Sequence, residues 1–299
     1  MPVIETRNKA YLNWIRECNT YQSEDFIPFY IEDTVLGLVH RNKLAAFNKH
    51  HDVYLISEQN NSVQKQGEAI TFQPHLSTYE LRTEAANQVA REWLDSGIIT
   101  SWVGEQYDVV TGFNHRSFFT IERAASSLLG IKKYGIHLNA WVVKQGEVYI
   151  WVARRAMDKA TFPGKLDHLV AGGHGSGYSI EETMIKECEE EANIPESLAR
   201  QAKPVGLVSY IMDIGERLQQ DNLFVYDLQL PESFIPHNTD GEAEEFYLWP
   251  VDKVLDIVAN TREYKTNCNL VIIDFAIRHG YLKPDEPLYT DINMGLRNQ

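Results

Sequence analysis

Three glutamates near the end of one short predicted helix are the residues of this chain best suited to chemistry. Glu187, Glu190 and Glu191 stand at positions i, i+3 and i+4, which share one face of an α-helix. Three carboxylates on one face repel one another unless a cation lies between them. Mg²⁺ takes oxygen ligands from a few carboxylates and keeps other positions for water and substrate phosphates. The spacing therefore predicts a divalent-cation site that handles phosphate groups.

Signals on both sides of these glutamates predict where the helix begins and ends. Ser179 is followed three residues later by Glu182, the spacing of a capping box. Asn193 tolerates the left-handed conformation of a C-terminal cap, and Pro195 prevents the helix from resuming. The helix also carries an apolar stripe that can pack on a sheet, formed by Ile185, Cys188 and Ala192.

A glycine-rich loop precedes this helix and favours a phosphate ligand over a solvated acidic surface. Its glycines permit backbone geometries closed to other residues and allow close approach to a phosphate chain. The acids also lie at the C-terminal end of the helix, where the helix dipole disfavours them. A ligand would offset that cost. The loop glycines are Gly172, Gly173, Gly175 and Gly177.

Composition narrows the class of protein and of partner. The 299 residues are 43% hydrophobic, enough for a sizeable core, and the formal charge of −14 disfavours nucleic acid or an anionic membrane as a partner. Three separated cysteines form neither a disulfide framework nor a zinc spacing. There is no signal-peptide pattern and no apolar run of about 18 residues. We therefore expect a cytoplasmic protein that acts on a small molecule.

The acidic segment resembles the Nudix box, whose pattern is Gly, five residues, Glu, seven residues, then Arg-Glu-hydrophobic-any-Glu-Glu-any-Gly-hydrophobic. Lys186 stands for the Arg, Glu187 for the Glu after it, Glu190 and Glu191 for the metal-binding pair, and Asn193 for the Gly. The resemblance implies an Mg²⁺ site, or an Mn²⁺ site, formed by Glu187, Glu190 and Glu191, with Lys186 beside them in the catalytic group.

Two departures from the box bear on catalytic rate. Tyr178 occupies the place of the first Glu, and Lys186 occupies the place of the Arg. Tyr178 and Lys186 depart together, at positions that can interact in the family. They leave open an alternative, a Nudix-fold binding module with weakened catalysis, although the three retained acids argue against it.

Further segments resemble one Nudix subgroup across nearly the whole chain. Its members are similar to the N-terminal part of some fungal thiamine pyrophosphokinases and to stand-alone relatives. The resemblance implies hydrolysis of thiamine diphosphate, or preferentially of its oxidised and damaged analogues, to the monophosphate. Another nucleoside diphosphate derivative, such as ADP-ribose or a nucleotide sugar, stays an alternative substrate. The segments include Trp102-Val-Gly-Glu105, Ile121-Glu-Arg-Ala-Ala125, Tyr134-Gly-Ile-His-Leu-Asn139 and Phe162-Pro-Gly-Lys-Leu-Asp167.

Other residues are candidates for positions around the acidic helix. The proton of the attacking water would pass to one of the helix acids or to a later glutamate. The later acids are Glu242, Glu244 and Glu245, of which Glu245 is the candidate additional metal ligand. The candidate cationic donors to the diphosphate are Arg154, Arg155, Lys159 and Lys165. Strand alternation puts Arg154 and Arg155 on opposite faces, so at most one is expected in the site. The other candidate substrate-binding residues are His137, Asn139, Gly172 and Gly173.

The expected fold class is α/β. Residues 131–285 are predicted to form the Nudix domain, an α/β/α sandwich around a mixed sheet. Residues 1–130 are predicted to form a smaller α+β domain that covers one side of the substrate pocket. Within it, Ser77 or Thr83 would cap a helix that Gly97 ends.

Overall fold

The computed structural model describes residues 2–61, 64–159 and 161–297. The elements of the first half are α1 (Pro2–Glu17), β1 (Phe26–Ile31), β2 (Thr34–His40), α2 (Leu44–Asn48), β3 (Tyr54–Asn61), β4 (Gln64–Phe72), α3 (Tyr79–Asp95), β5 (Gln106–Asp108), β6 (Thr120–Glu122) and α4 (Ser126–Leu129). Those of the second half are β7 (Lys132–Lys144), β8 (Glu147–Arg155), β9 (Leu166–His168), β10 (Val170–Gly173), α5 (Ile180–Ala192), α6 (Glu196–Ala199), β11 (Lys203–Asp213), β12 (Leu218–Gln229), β13 (Ala243–Pro250), α7 (Val251–Asn260), α8 (Thr266–Arg278) and α9 (Tyr289–Gly295).

A seven-stranded mixed sheet organises the second half. Its strands run in the order β11-β12-β7-β8-β13, with β10 paired to β7 and β9 paired to β8. The β12–β7 pair is parallel, whereas β7 and β8 form an antiparallel hairpin. α5 packs on one face of the sheet, and α7 and α8 pack on the other. The predicted α/β fold with a mixed sheet between helices is confirmed.

Alternation along β7 sends neighbouring side chains to opposite faces of this sheet. Ile136 and Leu138 enter the apolar cluster beneath α5. His137 and Asn139 instead point toward α8, where they meet Asp167 and Asp227 respectively. The candidate substrate-binding residues His137 and Asn139 therefore lie on the face of the sheet opposite α5.

The first half is an α+β unit built on a four-stranded sheet in the order β2-β1-β4-β3. α3 contributes Ala86, Val89 and Trp93 to its core. Thr78 caps α3 by accepting a hydrogen bond from the Leu81 N–H at 3.3 Å, so the predicted caps at Ser77 and Thr83 are both wrong. The Thr83 hydroxyl instead accepts from the Thr120 backbone N–H.

The first helix packs with the second half of the chain. Tyr11, Trp14, Ile15 and Cys18 join the apolar cluster that includes α7 and α8. The Trp14 indole donates to the Val258 carbonyl at 2.7 Å. The proposed domain limits of 1–130 and 131–285 stay a prediction, but α1 ties the two halves together. Among the described residues, no helix has the length and apolar character to span a membrane.

Candidate functional site

The sequence signals at the acidic helix produce the expected local structure in α5. Ser179 accepts from the Glu182 backbone N–H at 3.2 Å, and the Glu182 carboxylate accepts from the Ser179 N–H at 2.8 Å. Asn193 ends the helix with φ of 52°. Met184, Cys188 and Ala192 are fully buried against the sheet, whereas the predicted Ile185 packs only at the margin of that cluster.

The helix holds its carboxylates against the edge strand β10. The Glu191 carboxylate accepts a hydrogen bond from the Ala171 backbone N–H at 2.7 Å. The Lys186 ammonium lies 3.2 Å from Glu187 and 2.7 Å from Glu190. Glu187 is mostly buried, with its side chain 14% exposed, whereas Glu190 is 46% exposed. One lysine therefore lies beside two of the three acids.

Gly172 leaves the space that the Glu187 side chain occupies. A Cβ on Gly172 would stand 2.3 Å from Glu187 Cδ and 2.6 Å from its Oε2. Ordinary contact between such atoms is about 3.5–4.0 Å. Any side chain at position 172 would therefore displace the carboxylate.

The acids repel one another, and burial strengthens the effect. Burial raises the pKa of Glu191 well above its usual value, and the charge of Glu187 adds to the rise. Burial also raises the pKa of Glu187, although Lys186 opposes that rise. Burial disfavours the charge of Lys186, but Glu190 and Glu187 outweigh it and raise the lysine pKa. The raised pKa values of Glu187 and Glu191 reflect the cost of holding these negative charges close together in a buried site.

The first half of the chain supplies three residues to this site. Tyr107 Oη lies only 2.0 Å from the position of a Cβ on Gly173, and Arg123 Cζ lies 3.2 Å from it. Glu105 Oε1 lies 2.7 Å from the position of a Cβ on Gly175. The Arg123 guanidinium donates to Glu105 at 3.0 Å. The glycine loop therefore makes room for the first half of the chain as well as for the Glu187 side chain.

These three residues were not among the sequence candidates. Glu105 and Arg123 do lie in two of the segments quoted for the subgroup resemblance, Trp102–Glu105 and Ile121–Ala125. That resemblance was the available signal. It could not show that the two segments meet at the glycine loop.

The four candidate cations divide between two places. Arg155 donates to Asp167 at 2.9 Å, and Lys159 pairs with Glu242 at 2.6 Å. Arg154 donates to the Tyr247 hydroxyl at 3.1 Å and pairs with Glu263 at 3.6 Å. Lys165 donates to the Arg262 carbonyl at 2.6 Å. Arg154 and Lys165 thus lie together beside residues 262–263, and Arg155 points to the other face of β8.

The later acids differ in their relation to α5. The charge of Glu242 contributes to the raised pKa of Glu191, after burial and the charge of Glu187. Glu245 is exposed, hydrogen-bonded by the Tyr247 hydroxyl and opposite Arg154 in the β13–β8 register. Glu244 is exposed. Glu242 is thus the later acid whose charge acts on Glu191, although it also pairs with Lys159.

A buried polar cluster lies behind the site, between β7, β9 and α8. The donor atoms of His137, Asp167, His168 and Cys268 all lie within 4.8 Å of one another. The two imidazoles meet at 3.0 Å between their Nδ1 atoms. Burial lowers the pKa of His137 well below its usual value and that of His168 to about 4, so both rings are neutral at pH 7.

The charges around Asp167 determine what this cluster can hold. Asp167 accepts from Arg155 at 2.9 Å, from the Cys268 thiol at 2.8 Å and from Lys265 at 3.5 Å. Two cations already neutralise the only carboxylate in the cluster, which disfavours a third. The cluster is best described as a buried network that fixes Arg155. Asn139, also among the candidates, donates to Asp227 at 3.0 Å and is buried under α8.

Comparisons with known proteins match both halves of the chain. A family model described as NUDIX domain matches residues 135–268. A second model, described as Domain of unknown function (DUF4743), matches residues 10–133. The crystal structure of DR0079 from Deinococcus radiodurans is 20% identical, with a TM-score of 0.44 and coverage of 57% of this chain and 98% of that chain.

Two plant proteins are similar over almost the whole chain. Nudix hydrolase 20, chloroplastic, of Arabidopsis thaliana is 41% identical over 293 residues, covering 97% of this chain and 78% of the relative. Nudix hydrolase 24, chloroplastic, of the same plant is 41% identical over 292 residues with the same coverage. Because these relatives are named chloroplastic, the cytoplasmic location expected from the sequence stays a prediction.

Proposed function

The chain belongs to the Nudix hydrolase family, and from that premise we propose that it is a Mg²⁺-dependent diphosphatase acting on thiamine diphosphate or its oxidised analogues. The observation that carries the reaction class is the group of three carboxylates on α5 at the glycine loop. The subgroup resemblance across the chain supports the substrate.

The residues present fit a divalent cation. Glu191 uses one carboxylate oxygen for the Ala171 N–H, and Lys186 contacts Glu187 and Glu190 but not Glu191. Gly172 keeps the Glu187 carboxylate close to the strand backbone. Glu187, Glu190 and Glu191 would hold Mg²⁺ or Mn²⁺, which prefer such oxygen ligands. When bound, the cation neutralises diphosphate charge and lowers the pKa of water.

The residues of the chain account for the remaining requirements of diphosphate hydrolysis. This reaction depends mainly on positioning and charge stabilisation. A carboxylate of the α5 group, or Glu242 beside it, accepts the proton of the attacking water. Lys159, in the loop after β8 and paired with Glu242, is the candidate cation that can bind a substrate phosphate, whereas Arg155 is held in the buried network by Asp167. The monophosphate and inorganic phosphate are the products.

The test is release of phosphate and monophosphate from a panel of diphosphates with Mg²⁺. The panel holds thiamine diphosphate, its oxidised analogues, ADP-ribose and a nucleotide sugar. Glu190→Gln is the site variant, and Glu232→Gln, an exposed acid in the turn after β12, is its matched control. We expect turnover of the thiamine compounds that Glu190→Gln abolishes and Glu232→Gln retains.

The other outcomes separate the parts of the proposal. Turnover of only the nucleotides keeps the reaction and refutes the substrate. If wild type binds Mg²⁺ but hydrolyses nothing in the panel, the departures at Tyr178 and Lys186 favour the binding module. An equal loss of activity in both variants would contradict a specific role for the α5 carboxylates.

A further inference from the structure

A cavity of about 170 Å³ lies where the two halves of the chain meet. The first half contributes its residues from β5 and the loop that follows, and the second half contributes β7 and the glycine loop. Half of the lining residues carry aromatic rings: Tyr107, Phe113, His115, Tyr134, His174 and Tyr178.

Phe113 is the residue through which the first half closes this cavity. Its ring centroid lies 5.2 Å from that of Tyr134, 5.6 Å from that of His174 and 4.6 Å from that of Phe224. All of these contact rings belong to the second half. Aromatic faces arranged in this way bind another planar ring by offset or edge contacts.

Each lysine of the lining already has a protein partner, which reduces the positive charge that the cavity offers to a ligand. The Lys132 ammonium donates to the Thr111 carbonyl at 3.0 Å. Lys133 pairs with Asp221 at 3.1 Å. Asp108 also lines the cavity and adds negative charge. Ring contacts, rather than charge, therefore define the ligand.

The volume limits the size of the ring. A cavity of about 150 Å³ holds benzene. A volume of about 170 Å³ fits one planar ring with small substituents. A single six- or five-membered heteroaromatic ring matches it better than a purine does.

The cavity is linked directly to the acids. His174 contacts the Thr183 hydroxyl at 2.9 Å, and Thr183 stands one helical turn before Glu187. Tyr107 packs on Gly173, the residue after the glycine that accommodates Glu187. A substrate of moderate length can therefore place a ring in the cavity and a diphosphate at the acids.

Arg123 lies between the cavity and the acids. Its Cζ lies 3.2 Å from the position of a Cβ on Gly173, and it pairs with Glu105, yet its side chain is 42% exposed. The planar N–H donors of a guanidinium group match the geometry of phosphate oxygens. Arg123 therefore presents an exposed guanidinium between the cavity and the acids, where the diphosphate of the substrate would lie.

We propose that this cavity binds one heteroaromatic ring of the diphosphate substrate, and that Arg123 binds the diphosphate between that ring and the acids. The inference rests on the proposed function, because it assigns the ring-binding part of the same site. In this proposal, the first half of the chain takes part in substrate binding and is not only a structural domain.

The binding test needs no turnover. Calorimetry measures the affinity of thiamine monophosphate for wild type and for Phe113→Ala, in the absence of metal. Phe118→Ala is the matched control, since Phe118 lies in the same segment and packs into the core of the first half. Tyr178→Ala is a second site variant whose side chain is 52% exposed, so it is expected to fold. Thermal unfolding checks each variant.

We expect Phe113→Ala to weaken monophosphate binding about tenfold, as loss of a stacking partner does. Tyr178→Ala should weaken binding by a smaller factor, and Phe118→Ala should leave it unchanged. Affinity within twofold of wild type in both site variants would overturn the assignment of the cavity. So would absence of monophosphate binding by wild type.

The kinetic test separates the ring from the diphosphate. Arg123→Gln should raise KM for thiamine diphosphate and for ringless inorganic pyrophosphate alike, whereas Phe113→Ala should raise it only for the ring compound. Arg116→Gln, an exposed arginine of the same half, is the control. Unchanged KM in Arg123→Gln overturns its role. Ring binding that depends on Phe113 without any hydrolysis would refute the proposed reaction but support the cavity.

Discussion

Replacing Gly172 by alanine tests whether the glycine loop exists to position a carboxylate. The added methyl carbon would stand 2.3 Å from Glu187 Cδ, 2.5 Å from Cγ and 2.6 Å from Oε2. Carbon atoms in contact are normally about 3.5 Å apart or more, so the carboxylate must retreat by about 1 Å. No positive φ is involved at this position, so the effect is steric alone.

The displacement sets the size of the expected effect. A misplacement of about 1 Å in a catalytic group costs about 100-fold in rate, or about 2.7 kcal/mol of transition-state stabilisation. The added methylene also overpacks the loop, at a cost of about 1–3 kcal/mol in the free energy of unfolding. A domain of ordinary stability, about 5–15 kcal/mol, stays folded after such a loss.

The assay is phosphate release with Mg²⁺ on whichever panel diphosphate wild type hydrolyses, together with calorimetric Mg²⁺ affinity. Gly206→Ala is the matched control because the nearest atom to its Cβ is Arg297 Nη2 at 3.9 Å. Activity of a folded Gly172→Ala protein within threefold of wild type would refute the steric argument. An equal loss in Gly206→Ala would show that the effect is not specific to the site.

Three further predictions concern the framework of the site. Asp167→Asn leaves Arg155 and Lys265 without their buried counter-charge and should cost about 3–5 kcal/mol in chemical denaturation; a loss below 1 kcal/mol would contradict the network. Asn193→Gly should preserve or raise the melting temperature, whereas Asn193→Val should lower stability by about 1–2 kcal/mol, because φ is 52°; equal melting temperatures would contradict this. His168 has a folded-state pKa of about 4, against an ordinary value of 6.5. As the pH falls, the unfolded state therefore binds the proton first. The free energy of unfolding should decrease by about 3 kcal/mol between about pH 6.5 and pH 4. His168→Gln should flatten the stability curve in that window, and an unchanged slope would count against a neutral buried ring.

The acidic helix was predictable because its signals are local. Ser179 and Glu182 fix its start, and Asn193 fixes its end, through hydrogen bonds and backbone conformation within a few residues. The apolar stripe was predicted only in part. Tertiary packing buries Met184 more completely than Ile185, because the face of α5 that lies on the sheet carries Met184, Cys188 and Ala192.

The cations show what local patterns leave undecided. Strand alternation correctly separated Arg154 from Arg155, but it gave no means of choosing between them. The position of each arginine depends on tertiary contacts. Strand β9 pairs with β8 and places Asp167 beside Arg155, whereas Tyr247 and Glu263 contact Arg154.

By itself, the sequence determined the α/β class, the limits of the acidic helix and the i, i+3, i+4 grouping of its carboxylates, since each depends on residues close together in the chain. Only the tertiary structure decided that Tyr107 and Arg123 reach the glycine loop some 50 to 66 residues later. It also decided that Gly172 makes room for Glu187. Such contacts depend on how separate elements pack. The periodicity of side chains along one element does not show which distant residue occupies the space beside a glycine.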